Sequence, residues 1–283
     1  MTENNRRLTF SQRNGLAPIP QPLKLEEIPD NFRTQLYNLI HQFIENEIPS
    51  EGGIRRIDRG IYKNTIRSVH DNIFNNPIDE IDDDKYLFSF YKDMLNHAGY
   101  NMIFDIIEHI MRVHPRSDFN FFEKFHEMFS KHGLAYTIVD EEWPTIVPAA
   151  TPEEGETIGQ AFEAAKEDKY TAVREHLRKS AEHINANQPA DAVRESIHAV
   201  ESVLRIVTGK KSDFNDALQK LGRYSRIHPA LNEAFKKLYA YTSDEQGIRH
   251  ALVDQSQSPA AMEEAVFMLG ACAAFVSYVI RKC

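Results

Sequence analysis

From Thr157 to the end of the chain the sequence reads as helix and nothing else. Apolar residues recur at three- and four-residue intervals through 157–166, 168–185, 190–208, 213–222, 229–241, 244–255 and 260–281. A run of this kind leaves no room for a sheet-based core in the second half and predicts a helical bundle. Gly209-Lys210-Lys211-Ser212 separates the third of these helices from the fourth. No fixed-period repeat accompanies the pattern.

The first half has the same texture with one interruption. Phe32, Leu36, Leu39, Ile40 and Phe43 form a stripe that stops at Pro49 and Gly52-Gly53. Helices follow over 61–74, 85–96, 100–113 and 118–131, with Gly99 and Pro115 at joins. The aromatic series from Tyr86 to Phe129 falls at helical spacing and is expected in the core. Ahead of all this, Pro18, Pro20 and Pro22 predict an extended lead-in over 8–28. The interruption comes after Gly133. Ala135–Val139 is β-branched and aromatic, Asp140-Glu141-Glu142 reads as a turn, and Trp143–Val147 as a return strand that Pro144 restricts to an edge. The expectation is a mainly α, two-domain protein. Residues 1–150 form a helical domain closed by a small β-hairpin, and 151–283 a helical bundle, with Pro148–Gly155 as linker or helix start.

Length agrees with two domains: 283 residues, 42% hydrophobic and with 17 Phe, supply enough apolar mass for two cores. The net charge of −9 is not the footprint of a general nucleic-acid binder. The acid is uneven, with 16 basic and 23 acidic residues in 1–150 (net −7) against 17 and 19 in 151–283 (net −2). Within the second half, Arg205, Lys210, Lys211, Lys220, Arg223 and Arg226 face only Asp213 and Asp216, a run that suits either a polyanion or plain solvation. Cys272 sits in an apolar stretch and Cys283 ends the chain, so no disulfide framework is expected and the setting reads as cytoplasmic. The opening MTENNRRLTFSQRNG lacks the apolar core of a signal peptide. Val266–Ile280 is short for a membrane span and is flanked by Glu263-Glu264 and Arg281-Lys282, so it reads as a buried core helix with no membrane role.

The chemistry-bearing motifs thin out quickly. His176 and His183 lie seven apart on one helical face, but no carboxylate or third His completes a set, and His109 with His114 does no better. HExxH, CxxC, GxSxG and glycine-rich phosphate loops do not occur, so no metal and no cofactor is expected. What remains lies in Ser225–Asp254. His228-Pro229 opens a helix carrying Leu231, Phe235, Leu238 and Tyr239, with Pro at the first helical position. Thr242-Ser243-Asp244-Glu245 then offers caps for a new helix, whose first turns hold Arg249 and His250. A His moves protons near neutral pH and an Arg neutralises phosphate without a metal. The same two residues fit a solvated pair. Adjacent helical positions diverge by about 100°, so they would flank a groove. Asp244 and Glu201, the latter within the helix Asp191–Val207, are the candidate supporting acids.

Three stretches of the second half, DAVRESIHAVESVLRIVTG (191–209), IHPALNEAFKKLYA (227–240) and YTSDEQGIRHALVD (241–254), resemble the C-terminal region of bacterial AbiJ-type abortive-infection proteins. The opening FSQRNGLAPIPQPL and the Phe-rich helices are similar to an AbiJ N-terminal domain. The resemblance implies a C-terminal module of the HEPN superfamily, helical bundles that often dimerise and whose active members cleave RNA without metal. In those, an Arg and a His near a two-fold axis promote attack of a ribose 2′-hydroxyl on the adjacent phosphate. Carried onto this chain, the resemblance assigns Arg249 and His250 as catalytic. It implies a homodimer, an RNA substrate and an unknown protein partner or phage trigger. The usual HEPN pattern, an Arg followed four to six residues later by His, is absent at Arg249; it occurs at Arg178–His183 and at Arg223–His228, the latter being the alternative pair. That departure admits a second reading, a non-catalytic HEPN-like module that dimerises and binds a partner or RNA in phage defence.

Overall fold

A computed structural model describes residues 10–16, 23–45, 61–79, 84–114, 120–140, 143–209, 214–224, 227–244 and 261–283. The protein is mainly α with a small two-stranded antiparallel sheet. In chain order the elements are α1 (Phe10–Arg13), α2 (Asp30–Glu45), α3 (Ile61–Asn72), α4 (Asp84–His97), α5 (Tyr100–Val113), α6 (Phe121–His132), β1 (Tyr136–Val139) and β2 (Thr145–Pro148). They continue with α7 (Pro152–Ala164), α8 (Thr171–Asn185), α9 (Pro189–Thr208), α10 (Phe214–Tyr224), α11 (Pro229–Asp244) and α12 (Met262–Lys282). The chain divides into two compact units, Met1–Ile138 with Glu142–Ile146, and Val139–Glu141 with Val147–Cys283. The division runs through the hairpin.

In the first unit the apolar stripes do what their spacing dictates. Phe32, Leu36, Ile40 and Phe43 of α2 are buried, and so are Leu87, Tyr91 and Leu95 of α4 and Ile103, Ile106, Ile107 and Ile110 of α5. The large rings meet edge-on, Phe43 with Phe121 at 4.5 Å and Phe104 with Tyr136 at 4.7 Å, the arrangement their quadrupoles favour. Helix ends are closed by side chains. Asn120 accepts from the Glu123 amide at the start of α6, Gly133 ends that helix with φ of 65°, and Arg33 donates to the Leu95 and Ala98 carbonyls at 2.8 and 2.7 Å. Glu108 ties the hairpin to α5: its carboxylate accepts from the Ile146 amide at 2.7 Å and from Arg112 at 2.6 Å. Burial pushes the Glu108 carboxyl up, with Asp105 adding to it, while the Ile146 hydrogen bond and Arg112 pull the other way.

In the second unit α9 is the central helix, packed on α8, α10, α11 and α12. Its buried face carries Val193, Ile197, Val200, Val203 and Leu204. The register against α8 is set by a buried pair, Ser180 Oγ and Ser196 Oγ at 2.7 Å, with Ser180 also donating to the Ala192 carbonyl at 2.9 Å. Helix α12 lays Met268, Leu269, Cys272, Phe275, Val276 and Val279 into the core. It is long and apolar enough to cross a membrane, yet 61% of its most apolar window is buried inside the protein, in keeping with a core helix. Burial pushes the Cys272 thiol up to about 12, so this cysteine is a packing residue. Helix α7 packs on α12 at Gly270. There the Glu154 side chain fills the space of the missing Cβ while its carboxylate accepts from the Ala150 amide at 2.7 Å.

Several local expectations are corrected. Phe10–Arg13 is a short helix inside the segment expected to be extended, because Asn14 and Leu16 amides find carbonyls at Phe10 and Ser11. Trp143 stands outside β2 and is exposed, since Pro144 delays the strand to Thr145. Helix α7 begins at Pro152, capped by Thr151, five residues before the expected 157. Thr242, Ser243 and Asp244 prolong α11 where caps for a new helix were expected. The helix expected over 244–255 lies, beyond Asp244, outside the described residues. Phe267 is 59% exposed although Met268 beside it is buried: the buried positions 268, 272, 275, 276 and 279 form one face, and 267 lies a third of a turn away. Tyr86 is likewise exposed at 42%, while Tyr91, Phe121, Phe125 and Phe129 are core.

Candidate functional site

Arg249 and His250, the residues expected to carry catalysis, lie outside the described residues. Asp244 is the last residue of α11, and of it and of Arg223 on α10 only the helical backbone is described. Of the basic run, Lys210, Lys211 and Arg226 are likewise outside, and Arg205 faces Glu201.

Glu201 and His228 are placed in detail. Glu201 sits on α9 with a side chain only 15% exposed. It accepts from the Tyr239 hydroxyl of α11 at 3.0 Å and from Arg205, one turn along α9, at 3.4 Å. The Tyr239 ring is itself held, stacked on Phe214 of α10 at 3.6 Å between centroids and 9° between planes. Phe235, one turn before Tyr239, lies 3.8 Å from Phe275 of α12. Glu201 therefore sits where α9, α10 and α11 meet, with its two neighbouring donors engaged by one carboxylate. His228 precedes α11 and is exposed. Its Nδ1 accepts from the Ala230 amide at 3.2 Å, and its carbonyl accepts from Leu231 and Asn232 at 3.0 and 3.1 Å. That is the geometry of a helix N-cap, with Pro229 supplying the first helical residue. Gly222 of α10 admits the next side chain: a Cβ there would meet Asn232 Nδ2 at 2.9 Å, and Asn232 donates to the Leu218 carbonyl at 3.3 Å. Among the described residues, α9, α10 and α11 thus meet around a part-buried carboxylate, and a capping imidazole stands at the start of α11.

A second cluster was missed by sequence spacing. His176 has no sequence neighbour to make a set with, and His183 is spent on Gln188 at 2.7 Å. Across the α8–α9 pair, however, His176 Nδ1 lies 2.7 Å from Glu195 Oε2, and His198 Nδ1 3.7 Å from Glu195 Oε1. The two imidazole rings are 5.3 Å apart at 67°. The one local signal was Glu195-x-x-His198, a spacing that puts both groups on one face of α9. The histidine His109, on α5 of the first unit, is occupied differently. His109 Nε2 lies 2.7 Å from Ser68 Oγ, and burial with Arg112 nearby holds its pKa below the usual imidazole range.

These features define a mainly α protein of two compact units, the second built round a central helix with a carboxylate-bearing junction. The family model of AbiJ N-terminal domain 4 matches residues 8–164, more than half of the chain. The chain belongs to that family and is an AbiJ-type abortive-infection protein. No curated protein and no solved structure gives a significant match.

Proposed function

We propose that this is a cytoplasmic bacterial defence protein whose C-terminal helical unit is a HEPN-like module that cleaves RNA without metal. Family membership supports the defence role. The likeness of YTSDEQGIRHALVD to HEPN-type sequences supports the chemistry. His250 moves the proton of the 2′-hydroxyl or of the leaving oxygen, and Arg249 holds the phosphate with its planar fork of donors. Asp244 and Glu201 are supporting acids. The module works as a homodimer, and the net charge of −2 over 151–283 sets no like-charge barrier to its self-association. A protein partner or phage component acts as trigger.

The second reading is a non-catalytic HEPN-like module for dimerisation and partner or RNA binding. Specific observations favour it: Glu201 and His228 are both engaged in holding helices, one to Tyr239 and the other to the Ala230 amide. One experiment separates the readings. In purified full-length protein, His250→Ala should cut RNA cleavage by about 10²–10⁴ and abolish cellular toxicity, with an unchanged circular dichroism spectrum and with EDTA present throughout. His228→Ala should leave cleavage within a small factor and cost about 1 kcal/mol of stability through the lost cap. Cleavage at the wild-type rate by His250→Ala rejects the catalytic assignment, and a dead His228→Ala moves it to Arg223 and His228.

A further inference from the structure

The cluster on α8 and α9 has the composition of a metal site. His176, Glu195 and His198 each offer one ligand atom, and these atoms all lie within 4.8 Å of one another. Two imidazoles and a carboxylate form a donor set that borderline divalent ions take, with nitrogen at about 2.0–2.1 Å, oxygen at about 2.0–2.2 Å, and water in the remaining position. Tetrahedral bonds of that length set ligand atoms about 3.3 Å apart. The Glu195 carboxylate already stands 2.7 Å from one imidazole and 3.7 Å from the other. Closing the set therefore needs side-chain rotation and no backbone movement.

Three further features fit a site. The cluster spans two helices whose register is fixed close by, through the buried Ser180–Ser196 pair. Ser180 lies one turn from His176, and Ser196 adjoins Glu195. The ligand-bearing backbones are therefore held before any ion arrives, which lowers the ordering cost of binding. The side chains are 27%, 18% and 36% exposed, open enough for an ion and its water to enter yet shielded on one side. Nearby charge is also partly committed: Arg194, one residue before Glu195, pairs with Asp191.

We propose that His176, Glu195 and His198 bind one divalent transition-metal ion of the zinc class per chain, clamping α8 to α9. Mg²⁺ and Ca²⁺ are poor occupants, because both demand oxygen ligands. The clamp joins the central helix of the second unit to its neighbour, so its effect is on the folding of that unit. It takes no part in the proposed RNA cleavage, and its test does not depend on that reading.

The test uses full-length protein stripped with EDTA and dialysed, then titrated with Zn²⁺ by calorimetry and with Co²⁺ by visible absorption. The expected result is one ion per chain at micromolar affinity or better, Co²⁺ bands in the visible, a melting temperature that rises with Zn²⁺, and no response to millimolar Mg²⁺. His198→Ala and Glu195→Gln should each weaken binding by at least about tenfold and erase the rise in melting temperature. His183→Ala, on α8 with His176 but bonded to Gln188, should bind as the wild type does. Metal-free melting of each variant checks folding, and His198→Gln replaces His198→Ala if that variant does not fold. Absence of 1:1 binding overturns the proposal. So does equal affinity in His198→Ala and the wild type, which would locate the ion at other histidines.

Discussion

At the scale of single residues, the histidines divide into those that titrate against the fold and those that brace it. His109 packs beside Ser68, and His132 lies 2.8 Å from Gln35 Oε1 with its ring edge-on to Phe32. Burial first, then Arg112 for His109 and Lys131 for His132, holds both pKa values below the ordinary 6.5. The folded state therefore binds fewer protons than the unfolded chain in the window just below 6.5. Their contribution is fully present above that value and is lost as pH falls through the depressed folded values. Urea unfolding from pH 7.5 down to about 5 should show stability falling. The double variant His109→Gln, His132→Gln keeps an amide at each position for hydrogen bonding and should flatten that slope. An unchanged slope would place the acid sensitivity in other groups. Little of this was open to sequence reading. His109 and His114 were weighed only as a local pair, and the Ser68 beside His109 and the Gln35 beside His132 lie far away in the chain. The same holds for Glu201: its place in a helix was legible, but its donor Tyr239 is 38 positions away and arrives by packing.

At the scale of elements, the helices and the hairpin were legible because their signals are local. A stripe such as Phe32, Leu36, Ile40 and Phe43 needs only its own period to declare a buried face. What failed was phase and terminus. Phe267 falls within the stretch Val266–Ile280 expected to be a buried core helix, although one step along a helix turns a side chain by about 100°. Thr242-Ser243-Asp244 looked like caps, yet oxygen-bearing side chains cap a helix only where the preceding one has ended, and α11 runs through them. Close approach between helices was equally invisible. A Cβ on Gly270 would stand 2.8 Å from the Glu154 carboxyl carbon, and that carboxylate is held by the Ala150 amide. Gly to Ala inside a helix ordinarily gains about 1 kcal/mol. Displacing Glu154 forfeits a hydrogen bond to a charged group, about 1.5–3 kcal/mol. Gly270→Ala should therefore destabilise by about 1 kcal/mol, and in a Glu154→Ala background the same change should stabilise. Additive effects in that double-mutant cycle would show that the two positions do not press on each other.

At the scale of the whole molecule, the family match and the packing end in different places. The match closes at residue 164, the last residue of α7, whereas α7 packs in the second unit on α12. Its buried Ile158, Ala161 and Phe162 belong to that unit's core. Burying an Ile or Phe side chain contributes about 1.5–3 kcal/mol each, against about 5–15 kcal/mol for a whole domain. A fragment of residues 151–283 should therefore melt cooperatively, and one of 165–283 should not. Calorimetry on both decides it, and a cooperative 165–283 would make α7 dispensable. The proposed homodimer is best sought by light scattering on 151–283. Of the candidate residues, Glu201 and His228 are built into the fold, while Arg249 and His250 rest on resemblance alone. The seat of α7 also bears on how such genes recombine. A crossover just ahead of Thr151 hands over α7 together with the unit in which it packs. A crossover just behind Ala164 delivers a helix with Glu154 projecting toward whatever last helix the new partner brings, and only a partner with a glycine-sized gap at that level can receive it.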